Sequence, residues 1–128
     1  MSFKEKIEEF KDFYFNEWRG NEKGAPAFSG EIIKVNRFGW SHIVYSEKRY
    51  RNASNILKRL KLLSAARKLI ETINLFQDYR KVQNEEFWAL QAVLEDIKLR
   101  VIIRSVNQKE KHFYSVFLIK QKNTNNNW

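Results

Sequence analysis

The hydrophobic period of this chain changes at Asn74, and that switch limits the folds open to it. Ahead of it, Ile56, Leu60, Leu63, Ala66, Ile70 and Ile73 recur along one stripe, with Lys58, Arg59, Lys61, Arg67 and Lys68 mostly around it, the pattern of an amphipathic helix. Beyond it the period shortens to two. In residues 97–106 (IKLRVIIRSV), Leu99, Val101 and Ile103 fall on one side and Arg100, Ile102 and Arg104 on the other, as in a strand. Residues 75–82, 87–94 and 112–120 read as further strands, and Glu95 with Asp96 suits a tight hairpin between two of them. Upstream, Phe3, Ile7, Phe10, Tyr14 and Trp18 mark a helix over residues 3–18 that stops near Gly20. Gly24, Pro26 and Gly30 then mark a loop. A strand is predicted over residues 31–35, a turn near 36–39 and an extended segment over 40–45, with Asn52 or Ser54 capping the next helix. The order predicts an α+β fold: two helices packed on an antiparallel four-stranded sheet, with short extra strands near residues 31–45.

The length, 128 residues, suits one domain. Hydrophobic residues make up 43% and aromatics 15%, enough to build a core. With no cysteine, disulfides, thiolate metal sites and cysteine nucleophiles are excluded. Two histidines are a poor basis for a metal centre, so neither a metal nor another cofactor is expected. No stretch approaches the roughly 18 apolar residues that span a bilayer, and the N-terminus lacks the apolar run of a signal peptide. The expectation is a soluble cytoplasmic protein without a membrane partner.

The charge is +9 overall, from 24 Lys+Arg against 15 Asp+Glu, but it is uneven. Residues 31–68 carry ten basic and two acidic side chains, and residues 97–128 carry seven and one. Residues 69–96, between them, carry two basic and six acidic ones. Two basic blocks brought onto one face would suit a polyanion, because Lys and Arg displace counterions condensed on phosphates. The same blocks also fit a solvated basic surface.

The sequence holds no phosphate-binding glycine loop, zinc-protease motif, nucleophile elbow or calcium loop. What remains is a set of cations, imidazoles and hydroxyls: His42, Lys48, Arg49, Arg51, Arg59, Arg104, His112, Tyr114 and Ser115. Metal-independent RNA cleavage needs little more. The attacking 2′-hydroxyl belongs to the RNA; the protein must move protons and stabilise the charge of the phosphorane. By strand alternation, Ser115 is expected to share a face with Phe113 and Phe117, and Tyr114 to share one with His112.

Two groups of residues carry a family resemblance. Gly39-Trp40-Ser41-His42-Ile43, the basic segment with Arg51-Asn52 and the apolar helix with Arg59-Leu60 form one. Arg100-Val101-Ile102-Ile103-Arg104 and Phe113-Tyr114-Ser115-Val116-Phe117 form the other. Together they resemble the phage-associated branch of the barnase–EndoU–colicin–RelE (BECR) ribonuclease superfamily, small α+β RNases and toxin domains. The resemblance covers residues 28–120, leaving an N-terminal helix and loop over 1–27 and a polar tail over 121–128. It implies that His42 is the family's histidine after the first strand, Arg104 its strand-borne cation and Ser115 the hydroxyl of its last strand. Lys48 and Arg51 fall where extra basic contacts are expected, and His112 is a second proton-transfer candidate.

On this reading the chain is an endoribonuclease, a toxin cleaving tRNA or mRNA to 2′,3′-cyclic phosphate ends. His42 acts as general base or acid, Arg104 stabilises the phosphorane, Ser115 or Tyr114 positions the phosphate, and Lys48, Arg49, Arg51 and Arg59 hold the RNA. Two other functions share the basic face: a non-catalytic RNA-binding module, and an interaction domain for an acidic protein. An acidic antitoxin or immunity protein would cover the same cations.

Overall fold

In the computed structural model, residues 2–46, 49–94 and 96–119 are described. The fold is α+β, built on an antiparallel sheet of four strands in sequence order: β5 (Asp78–Val82), β6 (Glu85–Leu94), β7 (Ile97–Val106) and β8 (His112–Leu118). Strand β7 has the predicted bounds. At the β6–β7 hairpin Leu94 pairs with Ile97, and Asp96 takes a positive φ of 65°, a conformation Asp tolerates better than most residues. Lys120 and the polar tail lie outside the described residues.

One sheet face is the core. Trp88 and Leu90 on β6, Leu99, Val101 and Ile103 on β7, and Phe113 and Val116 on β8 are buried there in one cluster with the helical residues. The N-terminal helix α1 (Phe3–Asp12) begins in a reciprocal capping box between Ser2 and Glu5. It continues as a π-helical segment, Phe13–Trp18, whose Tyr14 and Trp18 are buried in the same core. The segment that follows folds into a two-stranded ribbon, β1 (Gly24–Ala25) and β2 (Glu31–Ile32), around a short 3₁₀ turn at Pro26–Phe28. Past β2, Lys34 bridges His112 in parallel, with Ile33 and Val35 buried on either side of it.

The largest departure from the sequence reading is at residues 36–44. In place of a turn and an extended segment there is a helix, α2 (Arg37–Val44). The β-branched and aromatic residues of this stretch favour a strand locally, but Asn36 caps a helix, its Oδ1 accepting the Phe38 N–H at 3.0 Å. Gly39 then lets α2 lie directly on β8: a Cβ there would come within 2.5 Å of the Phe113 carbonyl oxygen and 2.6 Å of the Tyr14 hydroxyl. Glycine costs about 1 kcal/mol relative to alanine inside a helix, and the close approach to the sheet offsets it. A further two-stranded ribbon, β3 (Tyr45–Ser46) with β4 (Arg49–Tyr50), follows α2.

The predicted second helix is two helices, α3 (Ala53–Leu60) and α4 (Leu63–Thr72). Asn52 caps α3 as expected, accepting the Asn55 N–H at 2.8 Å. The break at Lys61–Leu62 follows from burial. Leu60 and Leu62 are 0% and 8% exposed, whereas residues two apart on a straight helix point about 200° apart. The chain turns so that both reach the core. Among the described residues no helix is long and apolar enough to cross a membrane.

Candidate active site

The second face of the sheet is polar where β7 meets β8, and a β-bulge organises it. Ile102 pairs with Ser115, but the next pair is Ile103 with Phe113, so Tyr114 is the extra residue on β8. Such a bulge re-aims side chains. Here it puts Ser115 opposite Ile102 on the second face, while Phe113 stays on the core face. The expectation that Ser115 and Phe113 share a face is therefore wrong: regular alternation does not survive the extra residue. His112, opposite Arg104, and Tyr114 do meet on one side, with ring centroids 6.3 Å apart.

Helix α2 delivers His42 to this bulge. Its imidazole stacks on the Tyr114 ring with centroids 4.1 Å apart and planes 22° from parallel. His42 is thus helix-borne, on the helix that follows β2. The Arg104 guanidinium carbon lies 4.4 Å from the same Tyr114 ring centroid. Arg104 is fixed on two sides: its Nε donates to His112 Nε2 at 3.1 Å, and its Nη1 pairs with Glu85 at 3.2 Å. His112 is buried, and accepting at Nε2 leaves its proton on Nδ1.

Two more cations come from the segment after α2. The Arg51 Nε donates to the His42 carbonyl at 3.1 Å and its backbone N–H to the Val44 carbonyl at 2.8 Å. Arg59, in the last turn of α3, donates from Nε to Asn55 Oδ1 at 3.2 Å and from Nη1 to Ser115 Oγ at 2.8 Å. Ser115 is fully buried, so its hydroxyl holds Arg59 in place. The Phe117 ring lies 5.6 Å from the same guanidinium.

The electrostatics follow from this packing. Burial first, and then the positive charges of Arg51, Arg59 and Arg104, together lower the His42 pKa to about 4. Burial and Arg104 bring His112 to about 4 as well. Both imidazoles are neutral at pH 7 and flanked by cations. Burial, then repulsion from Arg51, lowers Arg59 to about 10, still protonated at neutral pH. Arg51 is lowered chiefly by burial. Among the described residues Arg51 and Arg59 pair with no carboxylate. The described side chains therefore leave positive charge at the site uncompensated, which suits an anion and opposes a metal cation. No group of three or more His, Asp or Glu among the described residues is arranged to hold a metal ion.

The structure thus brings together His42, Arg51, Arg59, Arg104, His112, Tyr114 and Ser115, from α2, α3, β7, β8 and the link before α3. Lys48 lies outside the described residues, and Arg49 is described only as backbone in β4. Sequence reasoning missed Asn55, Glu85 and Phe38. Asn55 was legible, because it stands four residues before Arg59 on a helix and faces it. Glu85 sits at the start of β6, diagonal to Arg104 on the neighbouring strand, and only strand register reveals it. Comparison of the chain with family models, with curated proteins and with solved structures finds no match.

Proposed function

We propose that this chain is a metal-independent endoribonuclease of the BECR type. The observation carrying the proposal is the gathering of Arg51, Arg59 and Arg104 around a neutral imidazole, His42, stacked on Tyr114. A scissile phosphodiester among the three guanidiniums meets preorganised donors for its equatorial oxygens, worth about 10²–10³ in rate for each such donor. Its negative charge also offsets the part of the depression that comes from Arg51, Arg59 and Arg104, raising the imidazole pKa as substrate binds, while the larger part, burial, remains.

The chemistry then balances as follows. Neutral His42 takes the proton of the 2′-hydroxyl as that oxygen bonds to phosphorus. The bond from phosphorus to the 5′-oxygen breaks, and that oxygen leaves with a proton from the Tyr114 hydroxyl. The products are a 2′,3′-cyclic phosphate and a 5′-hydroxyl, and solvent returns the His42 proton to Tyr114. Ser115 and His112 act as positioning residues, for Arg59 and Arg104 respectively. In a toxin setting, an acidic antitoxin would neutralise the same three cations.

One observation favours a second reading, an RNA-binding module without turnover: an imidazole with a pKa near 4 is a weak base at neutral pH. Purified protein incubated with RNA and a chelator separates the two. The enzyme reading expects cyclic-phosphate ends, with His42→Ala costing about 10²–10⁴ in rate while RNA affinity holds. Intact RNA, or equal cleavage by His42→Ala, would overturn it and leave the binding module.

A further inference from the structure

We infer that Phe38 is a nucleobase platform and that the site takes an unpaired RNA segment in preference to a duplex; this rests on the reading of the site as a phosphodiester-binding centre. Phe38 is the second residue of α2 and is 46% exposed, while the helix buries Gly39, Ile43 and Val44. An isolated exposed aromatic ring needs no explanation. This one is tied to the anion site. The Arg104 guanidinium carbon is 5.4 Å from the Phe38 centroid as well as 4.4 Å from that of Tyr114, and the His112 ring is 5.9 Å away. The buried imidazole and the tethered arginine thus fix the ring beside one of the three phosphate-facing cations.

A phosphate held by Arg104 brings its neighbouring nucleotide next to this ring. The exposed Arg37 guanidinium already lies 5.3 Å from the Phe38 centroid, an interaction planar cations and bases share. Arg37 is exposed, so a base can displace it. Stacking on Phe38 requires an open π-face, which a base in a duplex gives up to its neighbours and an unpaired base retains.

The test is fluorescence anisotropy with a short labelled oligouridylate carrying 2′-O-methyl groups, which cannot be cleaved, against a blunt RNA duplex. Phe38→Ala is expected to weaken single-strand binding roughly tenfold and leave duplex binding unchanged, while Phe38→Trp retains the single-strand affinity. Circular dichroism checks that both variants fold, as the exposure of the ring leads us to expect. If Arg59→Met weakens binding but Phe38→Ala does not, the platform is overturned and the phosphate site stands. Equal losses on single strand and duplex also overturn it, because the ring then acts only through Arg104. If wild-type protein binds neither RNA, both this inference and the reading beneath it fail.

Discussion

Acid should unfold this protein earlier than its carboxylates alone would require. The two histidines of the chain are both held at a pKa of about 4 by burial and neighbouring arginines, against about 6.5 in an unfolded chain. Because the folded values are the lower ones, the unfolded state binds more protons. The stability they contribute is therefore complete above pH 6.5 and is lost as pH falls toward 4. Between pH 7 and pH 5 the shift for each imidazole corresponds to about 2 kcal/mol, so about 4 kcal/mol for the pair. Solvent reaching the half-buried His42 reduces this, and the expected loss is about 2–4 kcal/mol, a large part of a typical domain's stability. The interval is chosen because unperturbed Asp and Glu titrate below it, at about 4. Urea denaturation at pH 7, 6 and 5 measures the loss, and imidazole NMR titration measures the two pKa values directly. His42→Gln should remove about half of the pH dependence. A loss under about 1 kcal/mol, or imidazoles titrating near their ordinary value, would refute the packing described around the bulge.

Gly39→Ala drives a Cβ against the Phe113 carbonyl and the Tyr14 hydroxyl; a destabilisation of about 1–3 kcal/mol is expected, read as a lower urea midpoint, and an unchanged midpoint would mean that α2 does not lie on β8. Ser115→Ala strips Arg59 of its hydroxyl acceptor, and a loss of about 1 kcal/mol in RNA affinity is expected, measured by anisotropy at fixed salt. Replacing Arg51, Arg59 or Arg104 by Met should each lower the slope of log affinity against log salt by about 1; a slope untouched by all three would remove phosphate from the site.

Much of the sheet was legible because its chemistry is local. The alternation in residues 97–106 depends only on neighbours two apart, and it located β7. The Asn52 cap and the stripe through Ile56 and Leu60 likewise need no distant partner, and they located α3. The candidate polar residues could be picked out by type, as cations and imidazoles in two basic blocks. Their roles were less legible. Ser115, with Tyr114 one of the two residues expected to position phosphate, accepts from Arg59, and His112, expected as a second proton-transfer group, accepts from Arg104. Both roles depend on a partner at least eight residues away, so no local pattern announces them.

The chain by itself determined an α+β protein with a late antiparallel meander, because the hydrophobic period of each segment selects helix or strand before any segment meets another. Tertiary structure decided that residues 37–44 are a helix, since Gly39 allows a backbone approach to β8 that outweighs the local preference for a strand. It also decided the bulge at Tyr114, a one-residue difference in pairing between β7 and β8 that neither strand carries alone. That slip and that helix together bring His42 onto Tyr114 beside Arg104. Registers and close approaches are properties of pairs of elements, and only the folded chain contains the pairs.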